Sequence, residues 1–292
     1  MTQKLRSYLR GYETERERRE RMVASGRMTA DQFDRWLAQH ALDPDATREM
    51  IQVLSTDLYE SNAIASQMIR GEMPEIFALN ANYAAFKIDT QVGFNTSFTL
   101  YNADTVSRLI RKNPALLPKA QVDKYKDMAW NQKKLRNEVL QGILQGESVQ
   151  KIAGRLLRVV GMNEAYILTN ARTAVTSAQN GGRMDTYERA NDMGIAVKKV
   201  WLATMDGRTR SAHRMLDGQI QPLKKPFQSP MGSIMYPGDP SAEPANVYNC
   251  RCRVSGVLKN SDFNPKDLSQ RFTRIPADMS YEAWKQAKKK VA

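Results

Sequence analysis

The chain has little of what builds covalent or catalytic centres: two cysteines and two histidines in 292 residues. The cysteines, Cys250 and Cys252, stand one residue apart. A disulfide between them would close a tiny strained ring, and two cysteines are too few to staple a secreted fold. They read as reduced thiols or as a pair of metal ligands. No uncharged apolar run approaches the roughly 18 residues of a membrane span. The opening MTQKLRSYLRGYETERERRE is charged almost from its start and lacks a secretory apolar region. The expectation is a protein made and kept in a cytoplasm, or packed into something assembled there. Nucleophile-elbow, phosphate-loop and zinc-protease signatures are missing too, as are internal repeats and low-complexity tracts.

What is abundant is positive charge. Lys and Arg number 44 against 31 Asp and Glu, a net +13. Such an excess attracts anionic partners through counterion release and long-range steering. Nucleic acid is the commonest of these; solubility or an acidic protein partner is the alternative. With 41% hydrophobic and 26% charged residues, the composition is that of a folded protein, and the length suggests about two domains.

The first half reads as helix. ETERERRERM between Tyr12 and Met22 alternates signs as a solvated helix does. Thr29 to Ala38 is a second helix, capped by Thr29 or Asp31, with Phe33, Trp36 and Leu37 as its stripe. Asp43-Pro44-Asp45 breaks the chain and starts a longer helix through Met50, Val53, Leu54, Leu58 and Ile64, expected to end near Ile69 before Gly71 and Pro74. The stretch from Asn80 to Tyr101 reads as helix or as a mobile connector. Helix resumes at Asp104, carrying Val106, Leu109 and Ile110. A long helix is expected from Pro118 to Gly142, with Trp130, Leu135, Val139 and Ile143 inward. Another follows, with Ser148 as its cap and Gly161 as its stop. In NEAYILTNARTAVTSAQNGGRMDTYERA, Ile167 or Leu168, Ala171, Val175 and Ala178 form the apolar side, and Arg172, Asn180 and Arg183 the polar one.

The period changes after Gly194. Val197 to Ala203 reads as a strand, Asp206-Gly207 as a turn, and Ser211 to Leu216 as one helical turn. Short strands are expected at Gln219-Ile220, Ser233 to Tyr236 and Cys252 to Leu258. The end is loop-rich and finishes in a basic helix, Tyr281 to Lys290. The fold class is therefore α+β: a mainly helical region over 1–148, a small α+β domain with short antiparallel strands over 149–258, and a basic tail over 259–292.

Three separated motifs carry a resemblance: NARTAVTSAQNGGR, then DGRTRSAHRMLDG, then YPGDPSAEPANVYNCRC. In this order they resemble the phage Mu protein F-like family, the minor head proteins of tailed bacteriophages. The matching residues are Asp206, Arg208, Thr209, His213, Leu216, Asp217 and Gly218, then Pro237-Gly238-Asp239-Pro240, then Asn249, Cys250, Arg251 and Cys252. The first motif is similar to a family helix with an Arg-Thr pair and a later Asn and Arg. The resemblance implies a virion protein made in the host cytoplasm and sited in the capsid interior or at the portal vertex. It implies binding to the portal protein and other head proteins, and a part in head assembly and in DNA packaging or ejection. No membrane partner is implied. Lys285, Lys288, Lys289 and Lys290 are candidates for sequence-independent contact with packaged DNA.

Many relatives have a CxxC pair where this chain has Arg210 and His213, and a histidine before CRC where it has Val247 and Tyr248. His213, Cys250 and Cys252 are thus candidate zinc ligands, with Asp206 or Asp217 needed as the fourth. The reading without metal has the thiols packing as small apolar groups and His213 bonding a carboxylate. In that reading Arg208, Arg210 and Arg251 fork onto Asp206 and Asp217, Asp217-Gly218 turns tightly, and Asn249 satisfies backbone groups. No catalytic residue or other cofactor is assigned. An enzyme or toxin module centred on His213, a nuclease or an ADP-ribosyltransferase with Arg172 as its first residue, is the competing class. A freestanding basic DNA-binding protein is a third.

Overall fold

The computed structural model describes residues 14–40, 44–116, 124–145, 147, 149–258 and 264–291. The fold is α+β. Ten helices run α1 (residues 14–24), α2 (Ala30–His40), α3 (Pro44–Val92), α4 (Ala103–Lys112), α5 (Lys124–Leu144), α6 (Val149–Asp192), α7 (Ser211–Arg214), α8 (Pro244–Val247), α9 (Pro265–Arg271) and α10 (Tyr281–Val291) among the described residues. The strands are β1 (Phe94–Asn95), β2 (Lys198–Leu202), β3 (Ile220–Pro222), β4 (Phe227–Ser229), β5 (Gly232–Ile234), β6 (Arg253–Val257) and β7 (Thr273–Arg274). The chain divides into two compact units, residues 1–66 with 121–167, and 67–120 with 168–292.

The first unit is helical. Arg16 and Arg19 pair with Glu20 and Glu15 along α1. The Thr29 hydroxyl accepts from the Gln32 amide while the Gln32 side chain accepts from the Thr29 amide, a reciprocal cap. Ile51, Leu54 and Leu58 of α3 pack with Leu135 and Val139 of α5 and with Leu156 and Val159 of α6. Leu135 and Val139 of α5 are buried as expected, whereas Trp130, also expected inward, is 44% exposed. Ser148 and the Ile143 side chain lie outside the described residues.

Two breaks read from the sequence do not occur. Pro74 lies inside α3, which continues to Val92. An internal proline costs a helix about 3 kcal/mol, but Met73, Phe77, Ala78 and Ala81 bury a continuous face around it with Ala174 and Ala178. Asn80 to Tyr101 is thus helix through Val92, then β1 and an ordered segment whose Phe94 and Phe98 enter the core. Gly161 likewise lies within α6 and not at its end.

The second unit carries the sheet and the remaining cores. β2 is the centre of an antiparallel sheet of order β3-β2-β6, with Val200 opposite both Ile220 and Ser255. β4 and β5 form a hairpin, and β1 pairs with β7. Lys199 of β2 is fully buried and donates to the Leu223 and Met235 carbonyls; burial pulls its pKa down to about 8. At the other end, Trp284 Nε1 donates to Asp89 Oδ2 at 2.8 Å, and Lys288 Nζ sits 2.8 Å from the same oxygen. Asp89 also accepts from the Thr96 hydroxyl at 2.5 Å. Lys288, a candidate DNA contact by sequence, is therefore an interior cation, 6% exposed. Lys285 is half-buried beside Tyr281, and Lys289 and Lys290 are exposed.

α3 and α6 approach so closely in this unit that a Cβ at Gly182 would overlap the Phe77 carbonyl oxygen and lie 3.1 Å from the Ala81 amide nitrogen. Gly161 faces open space. Gly182→Ala should destabilise by about 2 kcal/mol through overpacking, whereas Gly161→Ala should stabilise by up to about 1 kcal/mol through helix propensity. Urea unfolding of the two variants checks both signs.

Candidate functional site

The site forms where α6 meets the loops that follow β2 and precede β6. Its floor is Trp201 of β2, fully buried, whose ring meets the His213 ring edge-on at 5.4 Å and the Phe227 ring at 5.4 Å. Leu216, Ile234, Val247, Cys250 and Cys252 complete this apolar cluster.

His213, Cys250 and Cys252 are buried together, with their ligand atoms within 4.8 Å of one another. His213 Nδ1 lies 3.6 Å from each sulfur. Its Nε2 lies 3.0 Å from Asn246 Oδ1. The Asn246 amide orientation is set from behind, because Nδ2 faces the Gly232 carbonyl at 3.1 Å and a carbonyl can only accept. Nε2 therefore carries a proton, and Nδ1 faces the sulfurs: an acceptor when neutral, a donor when protonated. The thiols differ. A hydrogen bond from the Cys250 thiol lowers the Cys252 pKa against the opposing effect of burial, and His213 adds to the lowering. Cys250 is pushed up by its sulfur neighbour and by burial. Cys252 is the one that ionises first.

These three residues do not make a closed zinc site, which takes four ligands. Among the described residues no fourth His, Cys, Asp or Glu joins the set. Asp206 is held by Arg251, Nη1 to Oδ2 at 2.5 Å and Nη2 to Oδ1 at 2.7 Å. Asp217 Oδ1 accepts from the Ala203 amide at 2.7 Å. The partner expected for His213 without metal, a carboxylate, is replaced by the Asn246 amide.

The motif arginines divide their work. Only Arg251 forks onto a carboxylate. Arg210 donates to the Tyr248 carbonyl, and Arg208 contributes its backbone N–H to Asp206 Oδ1. The Thr209 hydroxyl lies 3.1 Å from the same carboxylate. Gly218 closes its turn at φ +73°, and Asn249 adopts φ +55°, a left-handed conformation that Asn tolerates better than most residues. The Asn249 amide donates to Thr173 Oγ1 and its Nδ2 to Thr169 Oγ1.

The sequence placed Asn180 on the polar side of its helix; it is completely buried. Its Nδ2 reaches the carbonyls of Thr176, Pro237 and Cys252, and its Oδ1 accepts from the Val254 amide and from Arg183. The Thr176 hydroxyl donates to the Cys250 carbonyl at 2.7 Å. At Gly238, φ +82°, a Cβ would sit 2.8 Å from the Ser177 amide nitrogen, so loop and helix backbones touch. Asn246 was not singled out by the sequence, and Asp239 was named only as a motif match. Asp239 takes the Met235 and Ser241 amides. Asn246 reaches back to Ser229 and Gly232 of the β4–β5 hairpin, and no periodicity flags such a pairing.

His213→Ala should cost about 2–4 kcal/mol, by opening a cavity and orphaning Asn246 and the thiols. Cys250→Ala should cost about 1–3 kcal/mol by the same reasoning. Unfolding curves identical to wild type would remove the structural role. Arg251 holds the Asp206 carboxyl well below the usual carboxylate range. A folded-state pKa below the unfolded one favours the fold at neutral pH, and the advantage is lost as pH falls through roughly 4 and below. Asp206→Asn should therefore flatten the acid limb of stability against pH, as read by melting temperature between neutral and acid pH.

Residues 133–255 match the family described as phage Mu protein F like protein, a stretch that contains Asn180, His213 and both cysteines. The chain is 27% identical over 214 residues to the minor head protein GP7 of Bacillus phage SPP1, covering 70% of this chain and 67% of that protein. It is 31% identical over 172 residues to a protein of Enterococcus faecalis named NAD(+)--arginine ADP-ribosyltransferase EFV, covering 55% of this chain but 32% of that protein. An uncharacterized protein of Haemophilus influenzae is 26% identical over 188 residues, 63% of this chain and 37% of that protein. No solved structure matches. The three motifs lie in order within residues 133–255, the stretch that matches the phage Mu protein F-like family.

Proposed function

We propose that this chain is a minor head protein of a tailed bacteriophage, bound at the portal vertex and acting in head assembly and in DNA packaging or ejection. The observation that carries the reading is the alignment with a minor head protein over 70% of the chain, within a family match that contains the whole buried knot. The chemistry of that knot supports a structural role. His213 is 2% exposed, and a general base has to reach the proton it takes. Asp206, Asp217 and Asn246 are committed to holding backbone and neighbouring side chains. In this reading the centre works without metal, and the partners are the portal protein and other head proteins. Packaged DNA is met through Lys285, Lys289 and Lys290 without sequence preference. Among the described residues no helix is long and apolar enough to cross a membrane.

A second reading has one observation in its favour, the 31% identity to a protein named as an arginine ADP-ribosyltransferase. The shared stretch is 32% of that protein. Of the residues weighed for such chemistry, Arg172 is exposed on α6 and His213 is sealed in the core.

The test is co-expression of the tagged chain with the portal and capsid proteins of its own phage. The expected result is co-purification with the portal and a fixed low copy number in isolated heads. Absence from heads, with no portal binding, would overturn the assignment. Turnover of NAD+ or nucleic acid by the purified chain, abolished by His213→Ala, would establish the enzyme instead. Stoichiometric zinc in the purified protein would overturn the metal-free centre.

A further inference from the structure

A cavity of about 420 Å³ opens beside the sheet of the second unit, between α3, α6 and β6. That is within the roughly 300–1,000 Å³ of small-ligand sites. Lys87 and Tyr83 come from α3, Arg183 and Tyr187 from α6, and Arg253 and Gly256 from β6. Three cations line it, and no Asp or Glu does. Among the described residues none of the three cations has an ion pair.

Arg183 is the informative one. It is partly buried, yet its guanidinium meets only neutral acceptors: Nη1 donates to Asn180 Oδ1 at 3.0 Å and Nη2 to Asn80 Oδ1 at 2.8 Å. A guanidinium has five N–H donors, so two bonds leave capacity to spare. A charge withdrawn from water costs free energy unless an opposite charge meets it. Burial pushes the Arg183 pKa down; Tyr187 opposes this and the nearby Arg253 adds to it. The two amides hold the planar guanidinium in place, which is preorganisation for an anion that can present two oxygens to it. Lys87 and Arg253 are exposed at the rim and add charge to it. Lys87 lies over the Tyr83 and Phe86 rings at 5.6 and 5.7 Å.

We propose that this cavity is a phosphate-binding site, with Arg183 as its fixed fork and Lys87 and Arg253 as its rim, and that the phosphodiester of DNA is its principal occupant. It depends on no part of the head-protein assignment, because its test uses the isolated chain. It also differs from the C-terminal lysines, which lie on α10 and do not line the cavity.

The experiment titrates the purified full-length chain with inorganic phosphate by calorimetry and with a short labelled DNA duplex by fluorescence anisotropy. Lys87→Gln/Arg253→Gln is the pocket variant, built from exposed side chains so that Arg183 and the fold stay intact. Arg111→Gln/Lys112→Gln on α4 is its charge-matched control. Melting temperatures verify that both are folded. The expected result is saturable phosphate binding that the pocket variant loses at least tenfold and the control keeps. DNA affinity should fall in the pocket variant, its log–log salt slope should drop by roughly two, and free phosphate should compete with the duplex. Loss of phosphate binding in the pocket variant with DNA binding unchanged supports the site and assigns it to free phosphate or a nucleotide. No saturable phosphate binding, or equal losses in the pocket variant and the control, overturns the proposal. None of these outcomes alters co-purification with a portal, so the two assignments fail separately.

Discussion

The second unit depends on one buried carboxamide. Asn180 sits in the last third of α6 with no exposure to solvent and uses nearly all of its bonding capacity. Its Nδ2 holds carbonyls from two separate loops, at Pro237 and Cys252, while its Oδ1 takes the Val254 amide as β6 begins. Strands of three to five residues leave much of the surrounding backbone outside any ladder. Each buried N–H and C=O outside a ladder needs another partner. α6 supplies them from a face of small polar residues: Thr169, Thr173, Thr176 and Asn180, near one turn apart. A helix normally buries an apolar stripe. α6 buries a polar stripe in addition to its apolar one, because irregular backbone lies against that face.

The same logic explains the thiol centre. Cys250 and Cys252 flank Arg251, so alternation turns both sulfurs inward and the guanidinium outward. Inside, the sulfurs meet His213 above Trp201; outside, Arg251 closes onto Asp206. One tripeptide thus fastens the loop on both faces. Arg210 reaches the Tyr248 carbonyl and ties the two motifs by a hydrogen bond.

The elements that local chemistry specifies were legible in the sequence. These include the Thr29 cap, the strand over Lys198–Leu202, the turn at Asp217-Gly218, and the single helical turn that carries His213. The convergence of three distant motifs was legible only through their family resemblance. The failures share a cause, which is that tertiary packing outweighed a local preference. Pro74 and Gly161 are strong breakers in isolation, yet each lies in a helix longer than 40 residues. Asn180 and Lys288 look like solvent-facing residues until a buried partner is known, since the periodicity of a polar side chain says nothing about what it meets. Trp130 was grouped with Leu135 and Val139, which are buried, but it lies five residues before Leu135, off their face of the helix.

Charge is the property whose meaning changes most once the interior is known. A net +13 invites a reading in which the cations are spread over the surface for an anionic partner. Several are not. Lys199 holds two carbonyls beneath the sheet, and Lys288 neutralises Asp89 in a core of aromatics. Each does internal work that an apolar residue of similar length could not, because it satisfies oxygen acceptors from more than one segment. Arg183 stands between the two cases. Its amide partner Asn180 is the residue that organises the loops, so the geometry of the cationic cavity and the geometry of the thiol knot are set by the same side chain. Any distortion of the knot that moves the Asn180 oxygen also moves the fork of Arg183, about whose position the cavity's charge is arranged.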